Sequence, residues 1–413
     1  MAQIKKANSL GEWFDQRLKT RALMKVLMTE YWIPKKINFL WSFGMVLVTL
    51  FVVLIVTGIF LLMYYKPDAG LAFFSVNYTI MQEVAYGWLF RHMHAVAASL
   101  IFLFIYIHMF TGIYYGSFKS GREVIWITGM LLFVLFSAAG FSGYMLPWGQ
   151  MSYWAATVIT GLFEKIPLIG PDLVFWIRGD YIVGDATLTR FFMLHVFLFP
   201  LAIILVIAIH FFALRTPHVN NEDGEEIDFE AEAIKYIASD KKTSKVMPFW
   251  PKFMAEDIFV MSVVFTLFFF LVFFGYSFAM DPINFLPADH TKTPGHIYPE
   301  WYFLWSYEVL RGIYFSSSLG LIAFTIANAV FFLLPWLDRD KRVRPMHKRP
   351  LFMNIWFWAL VAVMIGLTIF GKLPTSEGYE WTVKVGFVLS ILFLVLTLVV
   401  LPLFSFIEKK EAQ

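Results

Sequence analysis

Four histidines lie in two long apolar stretches of the sequence, two in each stretch. His94 and His108 are 14 residues apart, and His195 and His210 are 15 residues apart. A helix rises about 1.5 Å and turns about 100° per residue, so each pair lies near one face, about four turns apart. Two such helices packed side by side bring His94 near His195 and His108 near His210 at two depths. Paired imidazoles hold haem iron, so the spacing predicts two haem sites stacked across a membrane.

A single histidine inside a membrane is often a hydrogen-bonded packing residue or part of a proton path. Glycines with a matching repeat favour the haem interpretation. Gly44 and Gly58 lie 14 residues apart in one apolar stretch, and Gly129 and Gly143 lie 14 apart in another. A residue without a side chain lets a flat macrocycle lie against the backbone. Ordinary close packing of helices through small residues is the alternative.

Two arginines precede the first histidine of each pair. Arg91 lies three residues before His94, and Arg190 lies five residues before His195. Buried haem propionates need cations, so we expect both arginines to contact propionates. Snorkelling of the guanidinium to the membrane interface is the alternative. Pro200 lies inside the apolar stretch of the second pair, and the kink expected there would absorb the 15-residue spacing.

The composition is that of an integral membrane protein. Of the 413 residues, 59% are hydrophobic and 15% are charged, whereas soluble domains average about 45–50% and about 25%. Segments of about 20 apolar residues cross the roughly 30 Å of hydrocarbon. Eight segments qualify, namely 39–64, 86–115, 123–146, 190–214, 254–279, 318–337, 350–371 and 381–407. Cysteine is absent, which excludes disulfides, thiolate-held iron–sulfur clusters and covalent c-type haem within this chain.

Positive charge is concentrated in the loops on one side of these segments. Most Lys and Arg residues fall in 1–37, 116–122, 215–252, 338–349 and the C-terminal tail. The positive-inside rule then places both termini in the cytoplasm. The stretch between the third and fourth segments mixes polar and apolar residues too closely to cross a membrane, and interfacial helices are expected there.

We therefore predict an all-α integral membrane fold with eight transmembrane helices. Residues 1–215 would form an N-terminal four-helix bundle with two haems, and residues 253–413 a C-terminal domain of four further helices. The segment 216–252 is acidic and then basic, which predicts a solvated cytoplasmic linker between the two domains.

Four motifs carry a resemblance to a known family. They are RHMHAVAASLIFLFIYIH at 91–108, GYMLPWGQMSYW at 143–154, TLTRFFMLH at 187–195 and PEWYFLWSYEVLR at 299–311. On these motifs the chain resembles, over essentially its whole length, cytochrome b of the quinol–cytochrome c oxidoreductases (cytochrome bc complexes) in a fused, bacterial form. The resemblance implies a low-potential outer b-type haem held by His94 and His195. It also implies a high-potential inner b-type haem held by His108 and His210.

The resemblance also implies an activity and partners. Quinol would be oxidised at an outer site, with one electron passing to a Rieske iron–sulfur subunit and onward to a c-type cytochrome subunit. The other electron would cross the membrane through the two haems and reduce quinone at an inner site. The assembly would be a homodimer of the complex in the bacterial inner membrane, in contact with lipid and without nucleic acid.

Family positions at the outer quinol site match Glu300, Tyr144 and Tyr307. In this family Glu300 of PEWY would accept a proton from quinol. A carboxylate between aromatic residues at a membrane interface is expected to have a raised pKa and to exchange protons reversibly. A helix-capping role is the alternative for Glu300, and the interfacial aromatic belt is the alternative for the tyrosines.

The inner site resembles the family less closely. Asp257 matches an acidic residue that contacts quinone, and Ser117 and Trp126 match positions around the inner haem propionates. Departures from the mitochondrial-type pattern occur at Arg215, Glu256 and Thr111. These departures leave the geometry of the inner site open, and the choice between ubiquinone and menaquinone is open as well.

Two other classes of protein are alternatives to a quinol-oxidising cytochrome b. In a secondary transporter the intramembrane His, Asp and Glu residues would form a proton relay without a cofactor. The long, continuously apolar segments argue against it. In a di-haem cytochrome that anchors a dehydrogenase, quinol bifurcation would be absent, and Glu300 and the last four segments argue against that reading.

Overall fold

Eight helical segments of the computed structural model are long and apolar enough to cross a membrane. The structure describes residues 9–25, 28, 30–238, 240–374 and 378–411. Among these, the candidate spans are Phe39–Leu62, Gly87–Tyr114, Glu123–Met145, Asp185–Arg215, Phe249–Phe274, Ser317–Leu337, Leu351–Lys372 and Glu380–Glu411. The all-α fold with eight transmembrane helices is thus confirmed.

Within the described residues the chain forms seventeen α-helices and two short strands. The N-terminal half contains α1 (Leu10–Leu18), α2 (Thr20–Met24), α3 (Phe43–Leu62), α4 (Ala72–Phe74), α5 (Gly87–Tyr114), α6 (Glu123–Met145), α7 (Gln150–Leu162), α8 (Gly170–Arg178), α9 (Asp185–Met193) and α10 (Phe199–Arg215). The remainder contains α11 (Phe229–Ile237), α12 (Met254–Phe274), α13 (Leu304–Gly312), α14 (Ser317–Leu337), α15 (Leu351–Lys372), α16 (Glu380–Val395) and α17 (Leu401–Glu411). The strands are β1 (Trp32–Pro34) and β2 (Val246–Pro248).

Each helix that carries histidines packs against a helix that carries the spaced glycines. Helix α3 packs along α5, and α6 packs along α10. Helix α12 lies against α5, and the short helix α13 packs among α14, α15 and α16. One continuous hydrophobic core runs through both halves of the molecule, because residues of α3, α5 and α6 share it with residues of α14 and α15. The two histidine-bearing helices are thereby held at fixed positions in one packed body.

The fourth span is not one regular helix. Its first part, α9, passes into a π-helical turn over Leu194–Leu198 before α10 begins. A π turn closes i→i+5 hydrogen bonds and so takes up one residue more than an α turn. The turn contains His195, so it accommodates the extra residue of the 15-residue spacing. Pro200 is the second residue of α10 and follows directly after the π turn. The extra residue is therefore taken up before the proline.

The segment between the third and fourth spans forms α7 and α8, and neither qualifies as a span. The segment 216–252 is more ordered than the solvated linker expected there. It contains α11, and its strand β2 pairs antiparallel with β1, with Ile33 opposite Met247. The division of the chain at residues 215 and 253 stays a prediction.

Four charged side chains form a buried ion cluster that joins distant parts of the chain. Lys119 Nζ lies 2.8 Å from Asp338 Oδ2, and Arg349 Nη1 lies 2.7 Å from the same oxygen. Arg349 also pairs with Glu408 of α17. All four side chains are 1% exposed. The ion cluster therefore fastens the loop after α5 to the α14–α15 loop and to the last helix.

Candidate functional site

An apolar cavity of about 410 Å³ contains the first histidine of each pair. We call it the outer cavity. His94 and His195 face each other across it, with ring centroids 6.2 Å apart and ring planes at 76°. Two metal–nitrogen bonds of about 2 Å each fit between rings at this separation. The two helix pairs thus bring together the residues that the sequence assigned to the outer haem.

Hydrogen bonds at Nδ1 orient both imidazoles of the outer cavity. His195 Nδ1 lies 2.9 Å from the carbonyl oxygen of Ala139, and His94 Nδ1 lies 2.9 Å from Thr57 Oγ1. A carbonyl only accepts, so His195 carries its proton on Nδ1. Its Nε2 lone pair is then free for a metal, which is the arrangement usual for metal-bound histidine.

A second cavity, of about 650 Å³, contains the other two histidines. We call it the inner cavity. His108 and His210 both line it and interact electrostatically. Ser117 and Trp126 line it as well. Ser117 donates a hydrogen bond to Asn220 Oδ1 at 2.8 Å, and the Trp126 indole N–H donates to the carbonyl of Phe331 at 2.6 Å.

All four predicted glycines lie directly against the four histidine rings. A Cβ atom added to Gly58 would lie 3.3 Å from the ring of His94, and one added to Gly143 would overlap the ring of His195. In the inner cavity the corresponding distances are 3.3 Å from Gly129 to His210 and 3.8 Å from Gly44 to His108. The missing side chains make room for the imidazoles themselves, which the repeat alone did not reveal.

The predicted proton-carrying residues of the outer site are partly brought together. Glu300 and Tyr144 line the outer cavity, and so does Asp281, which the sequence reasoning missed. Burial, helped by the charge of Asp281 and opposed by that of Lys372, raises the pKa of Glu300 to about 7. Glu300 precedes a short helical turn, but its side chain makes no capping hydrogen bond. The geometry therefore does not support the capping alternative.

Asp257 lines the inner cavity with a carboxylate that is 2% exposed. The Ser42 hydroxyl interacts with this carboxylate, but neither side chain makes a hydrogen bond of good geometry among the described residues. A buried carboxylate without such a bond carries a large desolvation penalty unless it takes up a proton or meets a ligand. Of the three departures from the family pattern, Arg215 and Thr111 line the cavity and Glu256 does not.

His218 is an inner-cavity residue that the sequence analysis did not single out. Its ring stacks on Phe229 at 4.2 Å and on Tyr31 at 5.7 Å, and it lines the cavity. Arg122 also lines the cavity and donates to the backbone carbonyls of Pro217 and His218. His218 itself has a positive φ of 52°. No sequence pattern predicts this backbone conformation or the position of the ring that results from it.

Of three further residues predicted at the outer site, two lie outside the outer cavity and one lines it. The guanidinium of Arg190 is exposed and donates to the carbonyl of Trp176 instead of lining the outer cavity. Tyr307 also lies outside that cavity, since its hydroxyl donates to the carbonyl of Ile297 at 3.2 Å. Arg91, by contrast, lines the outer cavity, is buried, and donates to Asn77 Oδ1 at 2.7 Å.

The donor set of each cavity suits a haem better than a bare metal ion. Among the described residues no group of three or more His, Cys, Asp or Glu side chains is placed to hold a metal. Bare structural or catalytic metal sites use three or four protein ligands. Each cavity instead offers two imidazoles within apolar walls, which fits iron whose other ligands come from a porphyrin.

Comparisons with known proteins match both halves of the chain. Residues 28–218 match the family model described as cytochrome b/b6/petB, and residues 287–394 match the one described as cytochrome b(C-terminal)/b6/petD. The chain is 43% identical to cytochrome b of Rhodobacter capsulatus over 395 residues, covering 92% of this chain and 87% of that protein. It is 39% identical to the protein called cytochrome b/c1 of Bradyrhizobium diazoefficiens, covering 97% of this chain and 56% of that protein.

A solved structure is similar over nearly the entire fold. It is described as a hyperthermophilic respiratory complex III, and the similarity has a TM-score of 0.87 at 37% sequence identity. The match covers 97% of this chain and 99% of that chain.

Proposed function

This chain belongs to the cytochrome b family, and we propose that it is the quinol-oxidising core subunit of a quinol–cytochrome c oxidoreductase of the respiratory complex III type. The observation that carries the proposal is the pairing of His94 with His195 across an apolar cavity, 6.2 Å between ring centroids. A second pair, His108 and His210, lines a second cavity. On α5 the two levels are 14 residues apart, a rise of about 21 Å.

Two b-type haems are the proposed cofactors, one in each cavity. His94 and His195 would hold the outer haem, and His108 and His210 the inner one. When bound, the haems supply one-electron carriers, which amino-acid side chains do not provide. The chain's own part is to orient the imidazoles, to give the rings space at four glycines and to keep the cavities apolar. Arg91 supplies a buried cation at the outer cavity.

Glu300 is the proposed proton acceptor for quinol oxidation. It lines the outer cavity with Tyr144, and its pKa of about 7, raised mainly by burial, is suited to taking a proton from a hydroxyl near neutral pH. At the inner cavity, Asp257 is the proposed source of a proton for quinone. Its buried carboxylate lies near the Ser42 hydroxyl and lines the same cavity as the inner histidines.

The 413 residues contain no cysteine, which supports the proposal that the remaining redox centres lie on other subunits. We propose a Rieske iron–sulfur protein and a c-type cytochrome as those partners. One relative carries the name cytochrome b/c1 and is longer than this chain, which supports a c-type partner. We further propose a homodimeric complex in the bacterial inner membrane, with both termini in the cytoplasm.

The test is a pyridine haemochrome assay on the purified protein, followed by a reductive titration. We expect two b-type haems per chain with separate midpoint potentials. A well-folded protein without haem would overturn the proposal and favour a cofactor-free transporter. A single haem would contradict the assignment of one of the two histidine pairs.

A further inference from the structure

The dipeptide Thr-Gly lies against one histidine in each cavity. Thr57 and Gly58 face His94 in the outer cavity, and Thr128 and Gly129 face His210 in the inner cavity. In both places the threonine Oγ1 lies 2.9 Å from the histidine Nδ1. A Cβ atom added to either glycine would lie 3.3 Å from the histidine Cε1. The same contacts thus occur twice with the same distances, on α3 and on α6.

The hydrogen bonds of each threonine determine which atom carries the proton. Thr57 Oγ1 lies 2.7 Å from the carbonyl oxygen of Val53, and Thr128 Oγ1 lies 2.8 Å from that of Val124. A carbonyl only accepts, so the single hydroxyl proton of each threonine points to its own helix backbone. Toward the histidine the hydroxyl oxygen must accept. His94 and His210 therefore carry their proton on Nδ1 and present an unprotonated Nε2.

We propose that Thr57 and Thr128 are positioning residues, each of which fixes the tautomer and the electron density of one haem ligand. The inference rests on the proposed function, because it presumes that both cavities hold haem. An acceptor at Nδ1–H makes the imidazole a more basic ligand. A more basic ligand favours the oxidised iron, so each hydroxyl lowers the midpoint potential of one haem. Thr57 acts on the outer haem and Thr128 on the inner haem.

The experiment is a redox titration of the purified complex carrying Thr57→Val or Thr128→Val, followed in the haem α band. Valine keeps the shape of threonine and removes the acceptor. The carbonyls of Leu54 and Ile125 also face the two histidine nitrogens, so the haems should stay bound. We expect a rise in the midpoint potential of one component in Thr57→Val and of the other component in Thr128→Val.

Matched variants separate the hydroxyl from general effects on packing. Thr57→Ser and Thr128→Ser keep the acceptor and should titrate as the parent protein does. Thr49→Val is the control on the same helix, because Thr49 donates to the Met45 carbonyl, contacts Met261 Sδ and lines neither cavity. Thr57→Ala and Thr128→Ala replace the valine variants if those fail to assemble.

Three results would overturn the inference while leaving the proposed function intact. They are unchanged potentials in variants without the hydroxyl, equal shifts of both haems in each variant, and serine variants that behave as the valine variants do. Absence of haem from the parent protein would instead overturn the proposed function. The haem content of the parent protein therefore separates the two failures.

Discussion

Glu300 shows how a single buried carboxylate acquires a useful pKa. Its side chain is surrounded by groups that disfavour its charge. Besides burial, which is the largest cause, Asp281 raises its pKa, and only Lys372 acts in the opposite direction. The phenols of Tyr144, Tyr298 and Tyr302 also interact with it. The balance leaves a group that gains and loses a proton near neutral pH.

Replacing Glu300 with Gln should slow quinol oxidation by about 10²-fold, because general base catalysis contributes at least that much, while both haems stay bound. A base must be deprotonated to accept a proton, so the parent rate should rise with pH through about 7. This rise should be missing in Glu300→Gln. Steady-state quinol oxidation between pH 5.5 and 8.5 checks both points, and an unchanged profile in the variant would contradict the role of Glu300.

Gly143 and Gly44 offer a matched pair of alanine substitutions. An alanine Cβ at position 143 would overlap the His195 ring, whereas one at position 44 would meet His108 at 3.8 Å, an ordinary contact. We expect Gly143→Ala to displace His195 and reduce the haem content from two to one. Gly44→Ala should retain both. Haem quantification on the two variants tests this expectation. Two haems in Gly143→Ala would contradict the proposal that Gly143 makes room for the His195 ring.

At the scale of residues, the sequence correctly predicted which side chains line a cavity when their positions are set by a single helix. Arg91 and His94 share α5, so the helical repeat alone placed both at the outer cavity. Arg190 and Tyr307 were assigned to the same region, yet their directions depend on α8 and on the loop before α13. Those segments supply carbonyl acceptors that hold the two side chains elsewhere. Tertiary contacts of this kind leave no periodic signal in the sequence.

At the scale of elements, hydropathy predicted the eight spans because length and apolarity alone define them. The pairing of β1 with β2 was not predictable. Each strand has three residues, and their partners lie more than 200 positions apart in the chain. For the π turn of the fourth span, the sequence predicted that an irregularity exists but not its kind. The 15-residue spacing indicated an irregularity, but not whether a kink or an inserted residue would absorb it.

The π turn makes a testable prediction about register. Deleting Phe197, which lies within the turn and is 61% exposed, should convert the π turn into an α turn and keep His195 and His210 in place. Both haems should then remain. Deleting Leu103 from α5 is the control, because α5 has no surplus residue between its histidines and His108 would rotate by about 100°. Haem loss in the Phe197 deletion would contradict the prediction.

At the scale of the whole molecule, the ion cluster links three distant segments of the chain. Lys119 and Arg349 both pair with Oδ2 of Asp338. Burial by itself would raise the pKa of Asp338, but these cations and their hydrogen bonds hold it below its ordinary value. The carboxylate therefore stays charged, and its attraction to both cations holds the two halves together.

Removing one partner from the ion cluster should destabilise the whole fold. Lys119→Met leaves Asp338 with one cation in a buried setting, and such a loss costs about 3–5 kcal/mol. Lys36→Met is the control, because Lys36 pairs with Asp223 at the exposed surface, where ion pairs contribute little. Thermal unfolding of the purified complex should show a clear decrease for the first variant and none for the second. Equal unfolding temperatures would show that the cluster does not stabilise the fold.

The spacing of the histidines on α5 also has a consequence for how the proposed transmembrane electron transfer would respond to voltage. His94 and His108 differ in depth by about 21 Å, roughly two thirds of the about 30 Å insulating layer. One elementary charge crossing the whole layer does work of about 2.3 kcal/mol per 100 mV. Charge moved between the two levels therefore does about two thirds of that work. Under the proposed function, an energised membrane should oppose electron transfer from the outer to the inner level in proportion, because the 14 residues between the histidines set the depth that the charge crosses.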